Sequence, residues 1–395
     1  MSNENQPKSL VLKTIDNPHD ANEKLVTWGD HYKLIDLQGV GSRLELPGKP
    51  SILKAKALLK QRDVIVFYDR NGGGRAFSDW WKSQLDQMNE DQPWLFLSGR
   101  QWNEVSIEGS DRIGNNEANI GKRGRGKHKT KLDSIRNHIV RMGRQEKTEH
   151  FFESFYEIKK EIDKGTLKRI NLIFYEPSAL NDQADHLIRA IRMARDSFPD
   201  LSMHVLIVNS SEDLFLNTIE NSPYLPIARC YRLAFLDKED IRELSIAHFG
   251  TNDPIDMNFV LDIQKKVGGH PFLTQTLIRR VKYLLDERKL RGQVSIHQVD
   301  YCFRQMKTSP PDIVKLWMSN MKILLNGKKE LVPTFRAYVE GMTLGRGRFP
   351  PPINERPLMI GGWVGLLPGQ HRWGILSDYH AYMGIKVLSE LEVFV

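Results

Sequence analysis

Short, largely apolar runs alternate with longer amphipathic ones through the first 236 residues. VIVF (Val64 to Phe67), PWLFLSG (Pro93 to Gly99), INLIFY (Ile170 to Tyr175), HVLIV (His204 to Val208) and CYRLAF (Cys230 to Phe235) each read as a strand buried on both faces. Between them the apolar period lengthens to that of a helix. One such stretch starts at Phe77. A second spans Leu132 to Lys164, with a stripe through Ile135, Ile139, Phe151, Phe155 and Ile158. A third spans Ala184 to Phe198, where Leu187, Ile188 and Ile191 face in and Arg189, Arg192 and Arg195 form a basic outer row. Strands alternating with helices predict an α/β core: a parallel sheet covered on both faces, with its ligand site at the carboxyl ends of the strands.

The flanking segments have a different texture. Residues 1–16 are polar, and residues 17–62 hold short elements, among them a helix-like SILKAKALLKQ from Ser51 to Gln61. After the fifth strand the pattern is helical. Asp237 to Phe249 has an acidic first turn, which suits the helix dipole. Asn258 to Lys266 and Phe272 to Asp286 are separated by Gly268, Gly269, His270 and Pro271, and Val294 to Met306 follows. Pro310 and Pro311 mark a boundary. Beyond it, helical stretches at Ile313–Leu325, Glu330–Glu340 and Asn354–Leu366 precede a hairpin, Gly365–Leu367 with Arg372–Leu376, and a last helix from Ser377 to Leu391. Three helices and a hairpin make the winged-helix plan. The expected organisation is an N-terminal extension (1–50), an α/β core (51–236), a helical unit (237–309) and a winged helix (310–395).

The chain has 395 residues, room for two or three domains. Its two cysteines, Cys230 and Cys302, give neither a disulfide framework nor zinc spacing, so a reducing compartment is the default. No apolar run is long enough to span a bilayer and no signal-peptide pattern opens the chain, so a cytoplasmic protein without membrane contact is expected. The net charge of +8 admits polyanionic partners. The densest basic run is GKRGRGKHKTK, Gly121 to Lys131, at the end of a Gly- and Asn-rich insertion of about residues 100–131. Lys122, Arg123, Arg125, Lys127 and Lys129 are its candidate nucleic-acid contacts. They would act on phosphates by charge, since few aromatics are interleaved for base stacking. A solvated insertion is the other reading. The histidines are scattered. Asp182, Asp185 and His186 come nearest to a metal-ligand cluster, and a helix cap explains them.

The chemistry-bearing stretch follows the first core strand. Asp69 to Ala76, DRNGGGRA, can be laid over the phosphate-binding pattern GxxxxGK followed by Ser or Thr. Asn71, Gly72, Gly73 and Gly74 would offer backbone N–H groups to an anion, helped by the start of the next helix. Arg75 stands where the lysine belongs, keeping charge but changing reach. Ala76 stands where a hydroxyl would ligate Mg²⁺, and Asp69 replaces the first glycine. A plain glycine-rich turn between strand and helix is the alternative.

With these parts in order, the chain resembles the AAA+ and STAND class of P-loop ATPases, in the branch with a helical lid and a C-terminal winged helix. Four segments carry the resemblance over about residues 50–395: VIVFYDRNGGGRA as a Walker A, INLIFYEP as a Walker B, HVLIVNSS in the place of sensor 1, and CYRLAFLDKEDIREL through VGGHPFLTQTLIRRV as the lid. RWGILSDYHAYM is similar to part of the last domain. The resemblance implies ATP or ADP at Gly72, Gly74 and Arg75, Glu176 as the residue polarising the attacking water, Asn209 or Ser210 near the γ-phosphate, and Pro271 near the adenine or holding the lid. Without it, Asn209 is a strand-end cap and Gly268–Pro271 a helix-breaking turn. It also implies other protein subunits, an oligomer, and a winged helix that clamps the nucleotide domain.

The departures change the expected chemistry. Tyr175 falls on the Walker B aspartate; if Glu176 fills that place instead, Pro177 takes the catalytic position. Either way an acidic group is missing, and Mg²⁺ loses ligands. Phosphoryl transfer rests on metal charge and on positioning of the attacking oxygen. The expected protein is therefore a regulator or scaffold with a degenerate nucleotide site, acting in a larger assembly such as a defence or mobile-element system. The alternatives are an active ATPase with atypical motifs and a nucleic-acid-binding module. For base readout only Asn354, Glu355 and Arg356 of the candidate recognition helix have suitable side chains, and Arg346 and Arg348 lie in a glycine-spaced run suited to phosphate contact. Salt titration of nucleic-acid binding tests the basic insertion. Contact through Lys122, Arg123, Arg125 and Lys127 predicts a log–log salt slope shallower by about three to four when all four are neutralised. An unchanged slope makes the run a solvated loop.

Overall fold

The computed structural model describes residues 13–17, 20–27, 32–36, 52–61, 63–68, 73–88, 94–98, 148–164, 170–177, 182–200, 203–210, 228–249, 255–287, 294–342, 354–360, 362–367 and 372–392. Two antiparallel strands, β1 (Lys13–Asn17) and β2 (Asp20–Thr27), form a separate ribbon. The core is a seven-stranded sheet. It comprises β3 (Lys33–Asp36), β4 (Ile52–Lys54), β5 (Asp63–Phe67), β6 (Trp94–Ser98), β7 (Ile170–Tyr175), β8 (Met203–Asn209) and β9 (Arg229–Leu233), in the spatial order β4-β3-β9-β5-β8-β7-β6. The five strands read from the sequence are mutually parallel, and β3 and β4 extend the β9 edge antiparallel. Numbering the parallel strands from β5 to β9 gives the order 5-1-4-3-2.

That order determines the layers. The chain crosses the sheet one way from β5 to β6 and comes back through β7 and β8. Right-handed crossovers then put α1 (Gly74–Met88) on one face and α2 (Thr148–Asp163) and α3 (Asp182–Ser197) on the other. On the α1 face Val64, Val66, Ile173, Leu206, Val208 and Leu233 join Phe77, Trp80 and Trp81 in one core. Burying each such side chain contributes about 1.5–3 kcal/mol, more than the roughly 1 kcal/mol that a glycine at the helix start costs. Leu187, Ile188 and Ile191 are buried on α3, as their spacing predicts.

Two local expectations are corrected. Ser51–Gln61 is not one helix: Ile52–Lys54 is strand β4, paired Leu34 to Leu53 and Ile35 to Ile52, and only Ala55–Lys60 is helical, as a 3₁₀ segment. Pairing with β3 outweighs helix propensity there. The basic row on α3 is incomplete, because Arg195 turns inward. It donates to Asp63 Oδ1 at 2.7 Å and to the carbonyl of Met203, tying the helix end to the starts of β5 and β8. Arg192 pairs with Asp196 at 2.8 Å. Of Leu132–Lys164, residues 148–163 are helical and 132–147 lie outside the described residues.

Four helices follow: α4 (Lys238–Phe249), α5 (Met257–Val267), α6 (Pro271–Glu287) and α7 (Ile296–Thr308). Asp237 Oδ1 caps α4 by accepting from the Glu239 and Asp240 amides, and Asp240 Oδ2 accepts from the Asp237 amide. Lys33 of β3 pairs with both carboxylates, fastening α4 to the sheet edge. The last unit contains α8 (Asp312–Gly327), α9 (Leu331–Val339), a short α10 (Arg356–Ile360), the antiparallel hairpin β10 (Val364–Leu366) and β11 (Trp373–Ile375), and α11 (Asp378–Glu392). The expected helix Asn354–Leu366 is thus five residues long, since Gly362 adopts φ 74° and Val364–Leu366 pairs as a strand.

The units meet at Gly268 and Gly269, both in left-handed backbone, φ 67° and 72°. Gly269 accepts from the Leu236 amide at 2.9 Å. A Cβ on Gly268 would strike the carbonyl of Leu376, and one on Gly269 the carbonyl of Leu236. Beside them the His270 ring packs against Phe235, Trp317 and His380, with centroids 5.3, 5.4 and 5.9 Å away. The Tyr379 hydroxyl of α11 donates to the Met306 carbonyl of α7 at 3.1 Å. The helical unit and the last unit therefore share a core.

Gly269→Ala is expected to destabilise the fold by about 2–4 kcal/mol, read as a denaturant midpoint shift, because backbone rather than a flexible side chain opposes the new methyl. Acid sensitivity follows from His380. Burial and the neighbouring His270 charge push it down to about 3, and burial with Arg279 and Lys282 pushes His248 down to about 4. Both are neutral in the fold. Below about pH 6.5 the unfolded chain takes up protons that the fold refuses, so stability falls with pH until the folded values are reached. His380 contributes a slope of about 1.4 kcal/mol per pH unit across that window. Melts from pH 7 to 4 should show a shallower decline for His380→Leu than for the unaltered chain.

Candidate functional site at the carboxyl ends of the strands

Register brings the site together. Phe67 of β5 pairs with Asn209 of β8, and Tyr175 of β7 pairs with Val208. The ladder runs one step further, with the Tyr68 amide donating to the Asn209 carbonyl at 3.2 Å and the Glu176 amide to the Val208 carbonyl at 2.8 Å. Tyr68, Glu176 and Ser210 thus leave the sheet side by side. Tyr68 and Tyr175 lie on the α1 face, their rings stacked at 6.3 Å with an interplanar angle of 12°, and their hydroxyls are 3.0 Å apart.

Glu176 is 3% exposed and is the single non-glycine residue with positive φ, 53°, among the described residues. It precedes Pro177, which disfavours helical backbone at that position. Such strain, about 1–3 kcal/mol, persists where surrounding bonds enforce it. Here the left-handed turn carries the carboxylate round to the Tyr68 side. Oε1 accepts from the Tyr68 hydroxyl and from the Ser210 amide at 3.0 Å, and Oε2 accepts from the Ser210 hydroxyl at 2.8 Å. Burial first, then the neighbouring Tyr175 and Glu176, push the Tyr68 phenol well above its ordinary range, so it remains a protonated donor.

The helix reached from the glycine-rich stretch starts at Gly74, three residues before the expected Phe77. Gly73 has φ 92° and its Cα faces Leu233 of β9, and the Phe77 amide donates to the Gly73 carbonyl at 2.9 Å. A Cβ on Gly74 would overlap the Tyr68 ring. Ala76 is buried in the first turn. The structure therefore gathers Gly73, Gly74, Ala76, Glu176 and Asn209 at the ends of β5, β7 and β8. Asn209 is fully buried and its carbonyl serves the ladder, and the Ser210 hydroxyl donates to Glu176. Pro271 is the first residue of α6, beside His270, where its fixed φ suits a helix start. Asn71 and Gly72 lie outside the described residues, as do Lys122, Arg123, Arg125, Lys127 and Lys129; of Arg75 only its helical backbone is described. Glu355 is buried and accepts from the Tyr338 hydroxyl at 2.6 Å, so it is not available to a base edge.

Tyr68 escaped the sequence reading. The signal was present: VIVFY and LIFY end in the same Phe-Tyr pair, one at each strand that borders β8.

Among the described residues at these strand ends, Ala76 has no hydroxyl, Tyr175 has no carboxylate, and the Glu176 oxygens already accept three bonds from the chain, so these residues offer Mg²⁺ few ligands. Among the described residues no group of three or more His, Cys, Asp or Glu side chains is placed to hold a metal, and none of the helices is long and apolar enough to cross a membrane.

No protein-family model matches the sequence, and no curated protein matches it. Among solved structures it is similar to a Walker-type ATPase of Pyrococcus abyssi, at 13% identity and TM-score 0.47, covering 85% of this chain and 93% of that one. It is also similar to RuvB of Thermotoga maritima, a Holliday junction branch migration motor, at 13% identity and TM-score 0.39, covering 82% and 87%. Cdc6p of Pyrobaculum aerophilum follows at 11% and 0.33, covering 85% and 91%. The fold is an α/β P-loop NTPase core. The 5-1-4-3-2 parallel order and the strand–glycine turn–helix unit at its first strand establish that from the chain itself.

Ser210→Ala removes a donor to a buried carboxylate. It is expected to cost about 1.5–3 kcal/mol in denaturant unfolding, more than a typical surface Ser→Ala change.

Proposed function

We propose that this chain is a regulatory or scaffold protein of the AAA+/STAND kind, whose degenerate site takes ATP or ADP without efficient hydrolysis and which acts with other protein subunits. The observation that carries this reading is the state of the Glu176 carboxylate. A residue that polarises an attacking water needs an oxygen turned to that water. Both oxygens of Glu176 are instead bonded to Tyr68 and Ser210, in a pocket whose metal positions hold Ala76 and Tyr175. What remains for a ligand is the start of α1 at Gly73 and Gly74, with Arg75 following, which suits phosphate without metal. In this reading α4 to α7 are the lid and residues 310–395 the winged helix. The backbone contacts at Gly268 and Gly269 join both to the exit of β9.

Equilibrium binding of ATP and ADP, with and without Mg²⁺, to the chain and to Arg75→Ala tests the site. Binding lost in Arg75→Ala, nearly indifferent to Mg²⁺, and with turnover no higher than that of Glu176→Gln is the expected result. Mg²⁺-dependent turnover abolished by Glu176→Gln would make the protein a working ATPase instead.

A further inference from the structure

The first turn of α6 is a largely buried helix end at which donors outnumber acceptors. Pro271 has no amide hydrogen. No backbone acceptor among the described residues takes the Phe272 or Leu273 amide, and the Gly269 carbonyl, four residues before Leu273, accepts from Leu236 instead. Helix-end amides of this kind are satisfied by a cap, by water or by a ligand. Side chains from three helices close over the same turn, each with a polar atom that has no hydrogen-bond partner among the described residues. They are Thr274 Oγ1 of α6 itself, Trp317 Nε1 of α8 and His380 Nε2 of α11. The three residues are 0, 5 and 2% exposed, so bulk solvent does not serve them.

The rings around His270, the residue before α6, fix their placement. Trp317 lies 5.4 Å from the His270 ring and 6.0 Å from that of Phe272, and His380 lies 5.9 Å from His270. Thr274 leans the same way, because helical side chains tilt toward the N-terminus. Burial keeps the His380 ring neutral. Its amide donates to Ser377 Oγ at 3.4 Å, so the serine hydrogen is directed to Nδ1, 2.7 Å away, and the ring carries its own hydrogen on Nε2. Indole, imidazole and amide N–H groups and a threonine hydroxyl thus gather at the positive end of a 17-residue helix. A water would bring two more hydrogens to a place already rich in donors; an anion brings none.

We infer that the start of α6 is a buried binding site for a small inorganic monoanion of halide size, held by Trp317, His380, Thr274 and the Phe272 and Leu273 amides. It is separate from the start of α1 and does not rest on nucleotide binding there. Its donors come from the helical unit and from the last unit, so the ion fastens one to the other and stabilises only the arrangement in which α8 and α11 lie against α6.

The test titrates the full chain with chloride in place of gluconate at constant ionic strength, following indole ¹H–¹⁵N resonances and the thermal midpoint. The resonance absent from Trp317→Phe should shift saturably with chloride, and the midpoint of the unaltered chain should rise with it. Trp317→Phe and Thr274→Val keep shape and lose a donor, and each should need at least about tenfold more chloride for the same rise. A resonance that does not move, or a midpoint that rises equally in the folded variants, overturns the site. A resonance moved by ADP and not by chloride also overturns it, and assigns these donors to the nucleotide. Should the variants not fold, crystals of the unaltered chain grown in bromide decide. Anomalous density within hydrogen-bond reach of Trp317 Nε1 and His380 Nε2 is expected, and an ordered water only in that place overturns the inference.

Discussion

The in-register parallel ladder of β5, β8 and β7 is the constraint on which the rest of this molecule depends. It makes three strands end at one level, so that Tyr68, Glu176 and Ser210 emerge within reach of one another. A slip of one residue in β5 would turn Tyr68 to the α2–α3 face and Phe67 to the α1 face, dismantling both the core under Trp81 and the hydroxyl contact. The carboxylate network built on this register is nearly balanced. Hydrogen bonds to a charged group contribute about 1.5–3 kcal/mol each, while burying the charge costs several kcal/mol and the left-handed backbone another 1–3. Its effect is to settle geometry more than to add stability.

The five parallel strands were legible because a short, largely apolar run bounded by polar turns has few other uses. Their ends were legible to within a residue or two, as at Ile170–Tyr175. What local pattern does not contain is partnership. Ser51–Gln61 reads as helix until β3 supplies a pairing edge, and Asn354–Leu366 reads as helix until Trp373–Ile375 supplies another. Arg195 reads as a solvated cation because Asp63, its partner, lies 132 positions earlier. For the site, chemistry-bearing residue types were legible at Gly74 and Glu176, and so were the departures Ala76 and Tyr175. The neighbour of Gly74 was not: Tyr68 is one more aromatic at the end of an apolar run until the fold lays it against that glycine.

A series of aromatic contacts runs through the C-terminal third. His270, Trp317, Trp363 and His380 sit at centroid separations of 5.4 to 6.0 Å around the start of α6, and Phe303 and Tyr379 extend the cluster between α7 and α11. The His380 imidazole stays neutral in such a place because a charge there would lose its hydration with little in return. Arg232 of β9 adds a link from the sheet, its guanidinium 5.7 Å from the Trp373 ring of the hairpin.

Gly268 and Gly269 turn these contacts into a bearing. Where two bodies meet through side chains, rotamers yield and small shifts dissipate. Here main chain lies on main chain, Leu236 on one side and Leu376 on the other, with no compressible layer between. The exit of β9, the start of α6 and the end of the hairpin are therefore joined through backbone at two consecutive residues.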